Sequence, residues 1–330
     1  MDRLTLERHQ VWIYLVAIGL GLAIGSAVPA AGPAFAKLLW PALVTLLYVT
    51  FVQVPLLHLA EAFRDHRFVA AVLTGNFILL PLLVWGLVQF LPHDPVLRLG
   101  VLLVLLVPCT DWFITFSQLG RGDVPRAIAV TPANLFLQLL LLPLYLWLMA
   151  RAELAGNLGL EQVWPTLFIV GLPLALAALT ERWVEARPAR TAWRERLAWW
   201  PVPLLAVVVF LIAAAQVGAV MGALHLTPVV LPVFVGFLLA ALGMAWATAR
   251  VARLPAAQGR TLAYSLGTRN SFVVLPFALT LPAGWEAAAV VIVLQSLVEL
   301  LGMLAYLAWV PRLFPSDGAR AAVPVAERSG

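Results

Sequence analysis

Cysteine occurs once in the 330 residues, at position 109, so no disulfide can form within the chain. Charge is almost as scarce: 11% of residues are charged, against roughly 25% in soluble domains. Hydrophobic residues make up 63% of the chain and mean hydropathy is +0.97, which excludes a soluble globular domain. An integral membrane protein is what remains. The apolar runs are long and lack strand-like alternation, which excludes an outer-membrane barrel. The histidines (His9, His58, His66, His93 and His225) show no paired metal-ligand spacing, and P-loop, nucleophile-elbow and zinc motifs are absent. Neither an enzyme, nor a transport ATPase, nor any cofactor is expected. The net charge of +5 invites a nucleic-acid reading, but the arginines lie in short loops between apolar segments. That placement is topological bias, and no nucleic-acid partner is expected. The first residues, MDRLTLERHQ, lead into a full-length span with no small-residue cleavage site, as in a retained first helix.

A hydrocarbon core of ~30 Å needs about 20 apolar residues per helix. On that measure the chain is expected to be an all-α membrane protein of ten spans, near 11–31, 38–60, 69–91, 97–119, 125–150, 163–183, 200–222, 229–250, 257–281 and 286–310. Gly21 and Gly25, at small-xxx-small spacing, predict a close helix-packing face. Of the 21 Lys and Arg residues, all but Lys37, Arg98, Arg151 and Arg269 fall on one side of this layout. The positive-inside rule then puts both termini in the cytoplasm of a multi-pass plasma-membrane protein. The longest polar loop, 181–199, separates two sets of five spans. Because five is odd, the second set must insert upside down relative to the first. The expected organisation is one transporter domain over 1–330. It comprises a first inverted repeat (1–155), a connecting region (156–199), a second repeat (160–312) and a disordered cytoplasmic tail (313–330).

Two spans are interrupted at their centres. The fourth reads Pro108-Cys109-Thr110-Asp111, and the ninth reads Gly267-Thr268-Arg269-Asn270-Ser271. Proline removes a backbone donor and breaks the helix. Interrupted spans at equivalent places in two halves point to a transporter's binding site. Only Asp111, Arg269 and Glu299 are ionisable residues deep in the spans, and a mid-membrane charge costs roughly 2.5–3.5 kcal/mol by insertion scales. Two acids facing one base predict one carboxylate paired with Arg269 and the other carrying a proton. Asp111 is the expected partner of Arg269, and Glu299 the expected proton carrier. Cys109 is a candidate substrate contact, because a soft thiol suits thiophilic substrates. Thr110, Asn134, Gln138, Asn270 and Ser271 are expected to line the same site. Asn76 and Thr131 are further polar residues near the breaks.

These residues carry a resemblance to the bile acid:sodium symporter superfamily, and within it to the arsenical-resistance (arsenite efflux) permeases. The stretch C-T-D-W-F-I-T-F-S-Q-L-G-R-G-D from Cys109 to Asp123 is similar to that family's fourth helix. Asn134 and Gln138 match its next span, and Gln295-Ser296-Leu297-Val298-Glu299 resembles its tenth-helix segment. The resemblance implies panel and core domains and fourth and ninth helices that cross at their breaks. It also implies a site lined by Cys109 and Glu299, and export of arsenite in exchange for protons. At the positions where sodium-coupled members bind their ions stand Trp112 and Phe113, then Ser265, Arg269 and Asn270. Aromatic rings offer no oxygen ligand and a guanidinium brings its own charge, which argues against sodium coupling. Asn76 and Thr131 resemble a vestige of a sodium site. The favoured reading is a proton-coupled arsenite exporter whose partners are a small metalloid substrate, protons and the lipid bilayer. The alternative is a sodium- or proton-coupled organic-anion symporter with Arg269 as counter-charge. A non-transporting sensor ranks third.

Overall fold

The computed structural model describes residues 3–58, 65–149, 160–224 and 226–315, and among these no β-strand forms. His225, Arg151 and the tail from 316 onward lie outside the described residues. In chain order the helices are α1 (Arg3–Ala27), α2 (Gly32–Val52), α3 (His66–Val88), α4 (Pro95–Leu105), α5 (Trp112–Leu119), α6 (Val124–Met149) and α7 (Leu160–Glu185). They continue with α8 (Thr191–Leu197), α9 (Pro201–Ala215), α10 (Val217–Leu224), α11 (Thr227–Val251), α12 (Ala256–Gly267), α13 (Ser271–Leu279) and α14 (Ala287–Leu313).

Six segments among the described residues are long and apolar enough to cross a membrane: Pro29–Val52, His66–Val88, Val124–Met149, Thr191–Ala215, Thr227–Val251 and Ala287–Leu313. That is fewer than the ten spans read from the sequence. Part of the shortfall lies in two spans split into the short pairs α4–α5 and α12–α13. Another part is α1, whose apolar portion is only Trp12–Ala27.

Helices α1, α2, α7 and α9 pack on one another through the seams α1–α9, α9–α2 and α2–α7. The α1–α9 seam is close for the reason the glycine spacing suggests. A Cβ at Gly21 would press on the Phe210 carbonyl, and one at Gly25 on the Ala214 carbonyl. The remaining long helices gather around the split ones, with α14 against α4, α11, α12 and α13.

Within α3 a single π-turn, Gly75–Leu79, interrupts the α-helical repeat. A Cβ on Gly75 would lie 2.6 Å from the Leu266 side chain of α12, which would then have to shift. The turn leaves Asn76 fully buried. Single π-turns of this kind concentrate at functional positions.

Candidate functional site

The two breaks fall in the stretches singled out by sequence, and the unwound segments cross as a two-residue antiparallel bridge between Pro108 and Arg269. Asn270 N–H donates to the Val107 carbonyl at 2.8 Å, and Cys109 N–H donates to the Thr268 carbonyl at 3.2 Å. Pro108 has no N–H to satisfy. Inside a bilayer each orphaned backbone group costs several kcal/mol, so the crossing is how this chain unwinds two helices at membrane depth. The Arg269 N–H is the remaining donor at the crossing, and it goes to Glu299 Oε2 at 2.9 Å.

Arg269 is 1% exposed and its guanidinium lies in an oxygen-lined cradle. Its Nη2 donates to Asn76 Oδ1 at 2.8 Å and to the Ser265 and Leu266 carbonyls at 3.0 Å each. Its Nη1 reaches the Leu105 carbonyl at 3.4 Å, and its Cζ sits 5.4 Å from the Phe237 ring centroid. Asn76 is fixed in turn by donating to Ser265 Oγ at 3.0 Å. The Arg269–Asp111 pair expected from the sequence is replaced by these contacts. The chains cross at Pro108, three residues before Asp111, and the guanidinium extends toward the π-turn of α3. Asp111 stands at the N-cap of α5, partly buried. The acid that meets residue 269 is Glu299, and it meets the backbone amide.

A polar rim surrounds the crossing. Asn270 donates from Nδ2 to Thr110 Oγ1 at 3.1 Å and caps α13 by accepting from Val273 N–H at 3.3 Å. Ser271 Oγ lies 2.6 Å from Ser296 Oγ of α14. Cys109 is 3% exposed, at the crossing itself. At the starts of the two second half-helices, Trp112 and Phe272 meet edge to face, with centroids 5.5 Å apart at 89°. Trp112 is one of the positions where the resemblance would place an ion ligand, and its ring packs on Phe272.

The sequence profile described as Sodium Bile acid symporter family matches residues 40–223, more than half the chain. The chain belongs to this family. No curated protein matches it. Members of the family are transporters, and the apolar helices agree with a membrane protein of that kind. The match takes in the first break with Cys109 and extends over α3 and α6. Arg269 and Glu299 lie outside it.

In this symporter-family chain, α6 carries Thr131, Asn134 and Gln138 on one face, at spacings of three and four residues. Thr131 Oγ donates within its own helix to the Ala127 carbonyl at 2.8 Å. Asn134 and Gln138 are buried, and neither amide has a hydrogen-bond partner on either atom. Since α6 packs against α4, α5 and α12, these amides belong to the helices that form the crossing. Buried amides without partners are rare in folded proteins and mark places where a ligand or water completes the bonding. Ser296 and Gln295 join the site, although the sequence marked them only as part of the segment that resembles the family's tenth helix and assigned a role to Glu299 alone. Their signal in the sequence was the polar pair within an otherwise apolar run.

Proposed function

We propose that this protein is a proton-coupled secondary transporter that exports arsenite, or a closely similar neutral metalloid hydroxide, across the plasma membrane. In this reading ten spans form two inverted repeats, α1, α2, α7 and α9 make the panel, and the helices around the crossing make the core. Both termini face the cytoplasm. The observation that carries the reading is the sole thiol of the chain, buried at the crossing of two unwound helices, with Glu299 hydrogen-bonded to Arg269 on the other strand of that crossing. Trivalent arsenic binds sulfur, and a single As–S bond forms reversibly as the thiol proton leaves with one arsenic hydroxyl as water. Three such bonds would hold the substrate too long for turnover, and this chain has one cysteine. The amides of Asn134 and Gln138 can both donate to and accept from the remaining hydroxyls, which suits a neutral ligand better than an anion. An organic anion would need the guanidinium of Arg269 as counter-charge. That group's two terminal nitrogens go to Asn76 and three carbonyls, which leaves its buried Nε as the one donor without a partner.

The test is Cys109→Ser in an arsenite-sensitive host that lacks its own exporter. Resistance is expected to fall to the level of the empty vector, while the variant inserts and purifies as the parent does. Full resistance in the serine variant would remove the thiol from the mechanism.

A further inference from the structure

Glu299 is a buried carboxylate with sharply unequal oxygens. Its Oε2 accepts twice, from the Arg269 N–H at 2.9 Å and from Gln295 Nε2 at 2.8 Å. Its Oε1 is buried and has no partner. Gln295, one helical turn earlier on α14 and 2% exposed, shows the complementary defect. Its Nε2 is used on Glu299, and its Oε1 is buried without a partner. Two planar groups are thus joined by one bond, and the leftover atom of each is an acceptor. Neither an ionised carboxylate nor an amide carbonyl has a hydrogen to offer, so neither leftover oxygen can satisfy the other. One proton removes the conflict.

We propose that Gln295 is a positioning residue that directs the transported proton to Oε1 of Glu299, where a cyclic acid–amide pair closes. In that pair the carboxyl O–H donates to Gln295 Oε1 while Gln295 Nε2 continues to donate to Glu299 Oε2. The proton comes from water on one side of the membrane and returns to water on the other. No bond is broken but the O–H bond itself. Oε2 stays engaged with the Arg269 amide in both states, so the charge held on it changes at the point where the ninth span is unwound. The protonation state is thereby read by the backbone of the break. The charged and titratable groups that reach Glu299 are Arg269, Cys109 of the opposite break and Tyr306 of α14. Arg98, Arg250 and Arg260, on helices packed against α14, are engaged elsewhere: with the Pro92 and Leu91 carbonyls, the Trp246 ring, and the Phe314 carbonyl. The proposal rests on Glu299 being the proton carrier of the reading above, and its test separates the two.

The experiment is infrared difference spectroscopy of the full-length protein in lipid across a pH step, alongside proton-driven arsenite transport in vesicles. A carboxylic-acid carbonyl band is expected that shifts in heavy water and disappears in Glu299→Gln. In Gln295→Leu and in Gln295→Met the band is expected to move to higher frequency, as a carboxyl O–H that has lost its acceptor does. The pH midpoint of transport should move with it. A band at its original frequency and an unmoved midpoint in whichever of these variants folds would overturn the role of Gln295 and leave Glu299 as carrier. Absence of any Glu299 band, with pH-driven transport intact, would overturn both.

Discussion

Glu299 and Asn76 differ in how readable they were as residues. An acid in an apolar run announces itself by its cost, so Glu299 stood out at once. From its own chemistry Asn76 read as one more polar side chain, because amides in spans ordinarily bond between helices, and only the family resemblance marked it, as a vestige of a sodium site. The structure makes it the neutral partner of the buried cation. Asn76→Leu conserves volume and removes the acceptor 2.8 Å from Arg269 Nη2. A hydrogen bond to a charged group contributes about 1.5–3 kcal/mol, and a loss of that size is expected here. A clear fall in the melting temperature of the detergent-purified variant, spared in Asn76→Asp, would show it. An unchanged melting temperature would mean that the carbonyl cradle holds the guanidinium alone. At Glu299 the change to Gln imitates the protonated acid. Such a variant is expected to exchange labelled for unlabelled arsenite across vesicles yet accumulate none against a gradient when a pH difference is imposed. Accumulation that survives the change would assign the proton to another group.

Elements were legible where the sequence broke its own pattern. Pro108 and the polar run 267–271 disturb apolar stretches, so both breaks could be placed. The register of their crossing could not, because two backbone hydrogen bonds between residues 107–109 and 268–270 leave no side-chain signature. The π-turn in α3 was equally silent, since one extra residue in a continuous apolar run changes no periodicity that a window can see. The α1–α9 seam was legible through Gly21 and Gly25, and it yields a paired test. Gly25→Leu should lower thermal stability because its side chain would meet the Ala214 backbone, whereas Gly19→Leu has open space and should be neutral. Equal effects would deny that the seam is a close contact. At one end of the bundle a polar clasp joins three elements. Arg126 reaches Asp65, the N-cap of α3, at 2.6 Å and Asp123 at 2.5 Å, and Gln258 of α12 donates to Asp65 at 3.0 Å. Burial alone would raise the Asp65 carboxyl, but the Arg126 hydrogen bond and charge, with the Phe68 N–H, hold it below its ordinary value. A lowered carboxyl stabilises the fold above the ordinary carboxylate range and loses that contribution as pH falls through its folded value. The clasp is part-exposed, so its worth is about 0.2–1 kcal/mol. Asp65→Asn should therefore flatten the acid limb of the stability–pH curve while changing its neutral plateau little.

At the scale of the whole molecule, composition alone established a helical membrane protein, and the family match supports transport. On the proposed reading, the choice of coupling ion turns on what fills one small volume where α3, α4 and α12 meet, which composition could not reveal. The oxygens gathered there are Asn76 Oδ1 and the carbonyls of Ser265, Leu266 and Leu105. Hard cations take oxygen ligands of this kind. In this chain the ligands already surround a cation, tethered through the side chain of Arg269. A sodium ion brought to within about 3 Å of that guanidinium would meet a repulsion of about 5 kcal/mol at an effective dielectric of about 20. That is enough to suppress binding by more than a thousandfold, since about 1.4 kcal/mol is a factor of ten. The fixed charge would supply permanently what a bound sodium supplies transiently, leaving the proton as the only ion whose occupancy changes during the cycle. Arsenite efflux from everted vesicles is accordingly expected to be the same in sodium and in choline at a clamped pH gradient, and to stop when that gradient is collapsed. In Arg269→Ala the cradle loses its tenant, and sodium should then raise the melting temperature of the variant, though it leaves that of the parent unchanged. Parent transport that disappears in choline would show that sodium binds elsewhere in the molecule and that the tethered cation does not replace it.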